Sequence, residues 1–150
     1  MRIREATRAD VPAIVAMLAD DALGRAREQA TDPLPDSYWR AWDGIERDPN
    51  NRLIVAERDG QVIGCLQLTF IPGLSHRGAE RAQIESVRVS SAIRGGGIGR
   101  QLIEHAIAEA RKHGSRLVQL TTDKTRADAQ RFYVELGFKA SHEGMKLALD

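Results

Sequence analysis

This chain of 150 residues is poor in cysteine and in aromatic rings, and its charges nearly cancel. The single cysteine, Cys65, excludes an internal disulfide, which fits a reducing compartment and makes the cytoplasm the expected location. Lys and Arg number 22 against 21 Asp and Glu, a formal net charge of +1, and only 5% of residues are aromatic. A module that binds nucleic acid or anionic lipid through bulk electrostatics usually carries a basic surplus, so neither partner is expected. No stretch approaches the ~20 consecutive apolar residues of a membrane span. The opening Met1-Arg2-Ile3-Arg4-Glu5 has no apolar core, so no cleaved leader is expected. The four histidines, His76, His105, His113 and His142, show no metal-ligand spacing, and no metal is expected. What remains is 42% hydrophobic residues, enough for a core, on a length that predicts one domain over residues 1–150.

Periodicity supplies the elements. Ile3 to Ala6 reads as a first strand. Thr7 with Asp10 three residues on resembles a capping box, followed by Val11, Ile14, Val15 and Leu18 at helical spacing. From Ala22 to Asn51 the pattern is irregular, with one short helix expected around Tyr38, Trp39, Trp42 and Ile45. Leu53–Glu57 and Gln61–Phe70 flank Asp59-Gly60, a hairpin turn signal that predicts antiparallel pairing. Val62, Leu66, Leu68 and Phe70 alternate onto one face, interrupted by Gly64. A strand is expected over Arg81–Val89, then a helix carrying Ile98, Leu102, Ile103, Ala106, Ile107 and Ala110 and closed by Gly114. Leu117–Thr121 reads as a strand, Ala127–Leu136 as a helix closed by Gly137, and Met145–Leu149 as a last strand. The order β-α-α-β-β-β-α-β-α-β-β predicts an α/β fold with a mixed, mostly antiparallel sheet flanked by helices.

Chemistry concentrates where Val87-Arg88-Val89 runs into Arg94-Gly95-Gly96-Gly97-Ile98-Gly99-Arg100. A glycine-dense turn opening a helix directs unpartnered N–H groups outward at the positive end of the helix dipole, an anion site suited to phosphate. Such a turn can equally do no more than close a strand-helix connection. A P-loop reading is weak because Gly99 is followed by Arg100 and Gln101 and not by Lys and Ser or Thr. The spacing Gly97-x-Gly99 followed by Leu102 also fails the dinucleotide fingerprint.

Arg94-x-x-Gly97-x-Gly99 resembles the acetyl-CoA-binding motif of the GCN5-related N-acetyltransferase (GNAT) family. Downstream, Ala129-Gln130-Arg131-Phe132-Tyr133-Val134-Glu135-Leu136-Gly137-Phe138 resembles that family's second signature, about 30 residues on. The resemblance implies acetyl-CoA as cosubstrate, with the amides of Arg94, Gly95, Gly96, Gly97, Ile98 and Gly99 holding its pyrophosphate and Arg88 and Arg100 within the same binding segment. The main chain of Val87 and Val89 would pair with the pantetheine arm. Where many members have a cofactor-contacting asparagine, this chain has Thr121 to Arg126, leaving Asp123 or Arg126 to replace it.

The resemblance further implies that Tyr133 protonates the departing thiolate; a core aromatic beside Phe132 is the structural alternative. Glu85, a carboxylate in a strand otherwise rich in Ile84, Val87 and Val89, would be the general base, directly or through water, with partial burial raising its pKa. Its alternative is a strand-face carboxylate paired with Arg81 or Arg88. Cys65, with no histidine near it in sequence, reads as core and not as a nucleophile. Trp39 and Trp42 either shape an acceptor pocket or cover the sheet. The leading expectation is an N-acetyltransferase acting on a small-molecule or peptide amine, as a homodimer by resemblance. A non-catalytic acyl-CoA-binding sensor or assembly domain is the alternative. The acceptor itself is not legible.

Overall fold

The computed structural model describes residues 1–93 and 95–149. It divides into two compact units, Met1–Gln119 and Leu120–Asp150.

In the first unit β1 (Arg2–Glu5) leads through a 3-10 turn at Arg8–Asp10 into α1 (Val11–Ala19). The expected cap is present: the Thr7 N–H donates to Asp10 Oδ2 at 2.7 Å. Two short helices follow, α2 (Ala22–Arg27) and α3 (Asp36–Glu46). Only the second was legible from apolar spacing, because α2 is six residues long and is started by a local device, the Asp21 carboxylate accepting from the Gly24 N–H at 2.5 Å. β2 (Asn51–Arg58) and β3 (Gln61–Ile71) form the expected hairpin, with Asp59 and Gly60 at positive φ in the turn. Between β3 and β4 (Arg81–Val89) lies α4 (Ser75–Gly78), whose inner residues His76 and Arg77 are left-handed, making it a tight turn and not a length of right-handed helix. α5 (Ile98–His113) ends on Gly114 at φ 93, and β5 (Leu117–Leu120) follows.

The sheet order is β1-β2-β3-β4-β5, antiparallel across the first three pairings. β5 follows β4 through the helical crossover α5, the connection that a parallel neighbour needs, so the sheet is mixed. Helices flank it. On one face α1 sets Ile14 and Met17 against Val55 and Cys65, while Val11 and Val15 pack with Leu34 and Trp42. α5 buries Ile98, Leu102, Ile103, Ala106 and Ala110. Gly64 explains its own interruption of the β3 stripe. A Cβ there would stand 2.9 Å from Leu102 Cδ1 and 3.2 Å from the Arg88 carbonyl oxygen, so its absence lets α5 seat on the sheet.

The second unit consists of α6 (Ala127–Glu135) and its flanking segments, with Gly137 at φ 101 ending the helix as expected. Among the described residues no strand follows α6. The closing strand expected at Met145–Leu149 is therefore not formed, and Met145, Leu147 and Leu149 are 94, 85 and 90% exposed. Alternation marks a segment able to lie on a sheet; it does not supply the neighbouring strand that makes one.

Candidate active site

The central feature is a break in β4. Cys65 pairs with Arg88 and Gln67 with Glu85, so two steps along β3 match three along β4. The extra residue is accommodated at Ser86, which adopts φ 55, a left-handed conformation unusual for a non-glycine residue within a strand. The bulge also changes which face each side chain takes: Ala82 and Ile84 are buried, while Glu85 and Ser86 are both exposed. Its trace lies in the sequence, where the apolar positions pass from even (Ala82, Ile84) to odd (Val87, Val89).

Glu85 precedes the bulge and by strand alternation shares the face of Gln83, opposite the buried Ile84; it is exposed, which corrects the expectation of partial burial. Its carboxylate is oriented by glutamines. Gln119 Nε2 donates to Gln83 Oε1 at 2.8 Å, and Gln83 Nε2 donates to Glu85 Oε1 at 2.7 Å. Neither glutamine was marked from the sequence, since a polar residue on a strand face carries no periodic signal. Arg88, offered as an ion-pair partner for Glu85, lies 3.8 Å from the Asp21 carboxylate by way of its Nε.

Beyond the bulge, Val87, Arg88 and Val89 are half-buried and lead to a 3-10 turn at Ser91–Ile93. Arg94 lies outside the described residues. Gly95 and Gly97 follow at φ 92 and 75, a backbone that glycine adopts without strain, and a Cβ on either would meet no atom within 4 Å. The turn therefore presents bare backbone to open space. Gly97 is the N-cap of the 16-residue α5, and its carbonyl accepts from the Gln101 N–H at 3.1 Å. The amides of Ile98, Gly99 and Arg100 precede any intrahelical acceptor, at the positive end of the dipole. This geometry accommodates a phosphate group. The Arg100 side chain is turned along the helix, with Nε 2.9 Å from Glu104.

Cys65 is buried, and desolvation pushes its thiol up to about 12, against the opposing effect of Arg88. A thiol so protonated at neutral pH is a poor nucleophile.

On the second unit, Tyr133 contacts Phe132 and Phe138 edge-on, with ring centroids 5.2 and 5.8 Å away. Asp123 accepts from both the N–H and the hydroxyl of Thr125, at 2.9 and 2.6 Å, and its carbonyl accepts from the Arg126 N–H. These hydrogen bonds, the Thr125 hydroxyl first, hold the Asp123 carboxyl below its usual range. Asp123 is thus engaged in building the turn before α6. Arg126 caps that helix.

Residues 15–138 match the model of the Acetyltransferase (GNAT) family. The chain belongs to that family. It is 39% identical over 95 residues to an aminoalkylphosphonate N-acetyltransferase of Salmonella typhimurium, a match covering 63% of this GNAT chain and 61% of the relative's length. A solved structure from Bacillus halodurans, named a transcriptional regulator, is 55% identical with a TM-score of 0.97, covering 99% of both chains. Arabidopsis thaliana glucosamine-6-phosphate N-acetyltransferase shares the fold at 18% identity, with a TM-score of 0.82 over 99% of this chain and 98% of its own.

Proposed function

We propose that this GNAT chain, read as one domain over residues 1–150, transfers the acetyl group of acetyl-CoA to a primary amine by direct attack. The observation that carries the reading is the uncapped start of α5: Gly95 and Gly97 expose backbone amides at the positive end of a 16-residue helix, immediately after the bulged β4. Acetyl-CoA is the ligand for that cradle, its pyrophosphate oxygens accepting from the backbone N–H groups of Gly95 to Gly99. The main chain at Val87 and Val89 supplies strand-like hydrogen bonds to the pantetheine arm, and Arg88, Arg100, Asp123 and Arg126 complete the cofactor-side set.

In the reaction the amine nitrogen attacks the thioester carbonyl carbon, an N–C bond forms and the C–S bond breaks. Glu85, directly or through a water, takes the proton lost by nitrogen, and Tyr133 gives one to the leaving sulfur. Exposure of Glu85 suits it to accept protons from solvent-borne substrate, and the Gln83 hydrogen bond fixes its direction. The buried Cys65 thiol gives no support to a ping-pong route through an acetylated cysteine. By resemblance the enzyme is a homodimer, which sedimentation at micromolar concentration tests, and its single cysteine suits the cytoplasm.

One observation favours a second reading, a non-catalytic acyl-CoA sensor: the 55% identical Bacillus halodurans chain is named a transcriptional regulator. Thiol release from acetyl-CoA across a panel of primary amines separates the two. Amine-dependent release supports the transferase. Acetyl-CoA binding with no release above the hydrolytic background, for any amine, transfers the case to the sensor.

A further inference from the structure

The geometry points to a second recognition element, a cavity beside the candidate base that accepts a small uncharged group of the amine substrate through a hydrogen bond from Trp42. This inference rests on the acetyltransferase reading for its substrate, but not for its site. A cavity of about 100 Å³ opens between α1, α3 and the sheet, walled by Ile14, Leu18, Trp42, Ile45, Cys65 and Ser86 among others. Ser86 is the bulge residue next to Glu85, and Gln67, also in the lining, pairs with Glu85 across the strands, so the cavity borders the backbone that carries the residue assigned as base.

Two facts define what fits. None of the described residues lining the cavity is charged. Arg88, across the strands from Cys65, stands beside Asp21 at 3.8 Å, so that cation already has its counter-charge. The second fact is an orphan donor. Trp42 is 6% exposed, and its indole Nε1–H is buried with no hydrogen-bond partner among the described residues. Buried donors are nearly always satisfied, and one left unmade is costly. Two other polar side chains around the cavity have partners: Tyr38 OH donates to Glu28 and accepts from the Gln29 N–H, and Gln67 Nε2 donates to Asn51.

The complementary group is therefore compact and apolar with one oxygen acceptor, such as an ether or an amide carbonyl. A cavity of ~150 Å³ holds a benzene ring, so this one takes roughly four heavy atoms. A phosphonate or carboxylate entering it would lose its hydration without meeting a cation. The cavity thus separates this chain from relatives whose names carry anionic substrates, an aminoalkylphosphonate and glucosamine 6-phosphate.

Three amines test this: 3-methoxypropylamine, pentylamine as its counterpart without the oxygen, and 2-aminoethylphosphonate. In ¹⁵N spectra of the full chain without acetyl-CoA, the Trp39 and Trp42 indole N–H signals are told apart by W39F and W42F. Saturable movement of the Trp42 signal with 3-methoxypropylamine, and none with the phosphonate, is expected. In thiol-release assays the methoxy amine should exceed pentylamine in kcat/KM by about fivefold, one neutral hydrogen bond, and the phosphonate by on the order of a hundredfold. W42F should bring the first ratio to about one. Should W42F fail to fold, I45F fills the cavity from a half-buried position and should abolish the Trp42 shift. A Trp42 signal unmoved by 3-methoxypropylamine, or moved equally by the phosphonate, overturns the inference even where thiol is released. Binding at Trp42 with no thiol release keeps the cavity and removes the transferase.

Discussion

At the scale of single residues, the proposed mechanism assigns the chemistry to Glu85 and Tyr133 and none to Cys65. A positioned base or acid contributes about 10²- to 10⁴-fold, so Glu85→Gln should lower kcat/KM by at least ~100-fold. Tyr133→Phe should depress kcat while the acetyl-CoA Kd, measured by calorimetry, stays within about twofold, because the lost proton donor is needed only once the C–S bond breaks. Unchanged turnover in both variants would sink the mechanism. Cys65 offers a complementary check. With its thiol pushed up to about 12 by burial, labelling of the folded protein by iodoacetamide at pH 8 should require unfolding, and Cys65→Ala should retain kcat, any effect falling on the amine KM because Cys65 also walls the cavity. Glu85 also shows where an expectation from sequence misses. A carboxylate in an apolar strand was conspicuous, but the expected burial is absent because alternation sets it on the face opposite the buried Ile84.

The elements divide by whether their cause is periodic. β4 was legible over Arg81–Val89, and α5 with its Gly114 cap likewise, because each repeats an apolar spacing and ends on a residue with a conformational reason. α2 was not, since it begins on one Asp21 hydrogen bond, and the left-handed turn at His76 and Arg77 repeats nothing. For Met145–Leu149 the spacing misled, since pairing partners are not written in the segment that needs them. The candidate site shows the same division. The glycine-rich turn could be picked out by composition, whereas the Gln119–Gln83–Glu85 chain and the Trp42 cavity exist only after distant strands and helices meet. Gly64 makes this contact between elements testable. Gly64→Ala places a methyl 2.9 Å from Leu102 Cδ1 and 3.2 Å from both the Arg88 carbonyl and Ile98 Cγ2. Leu102 can rotate but the carbonyl moves only with β4, so a loss of about 1–3 kcal/mol in urea unfolding is expected. The substitution should also raise KM for acetyl-CoA, as displacement of α5 moves the amides at its start.

For the whole molecule, the near-cancelling charges leave little self-repulsion at neutral pH, so acid sensitivity should follow particular native ion pairs. The best candidate ties β1 and β2 to the start of α1. Arg4 meets Asp10 through two hydrogen bonds of 2.7 and 3.0 Å and Glu57 through a third of 2.6 Å, and Asp10 is the one charged side chain buried in the core of the described residues. The Arg4 hydrogen bond holds the Asp10 carboxyl below its usual range, outweighing the opposing effect of burial, and the Thr7 N–H acts in the same direction. A carboxyl depressed in the folded state contributes its stability fully above the unfolded-state value near 3.9 and loses it as pH falls through the lower folded value. Urea midpoints should therefore hold between pH 7 and pH 5 and decline steeply below about pH 4. Asp10→Asn should cost about 2 kcal/mol at pH 7, the range for hydrogen bonds to a charged group, and less at pH 3, where the wild type is itself losing the interaction. A variant equally destabilised at both values would show that Asp10 contributes its turn geometry and not its charge. Since α1 also walls the cavity at Trp42, the same titration followed through the Trp42 indole signal should report the loosening of that wall in the acid range where stability declines.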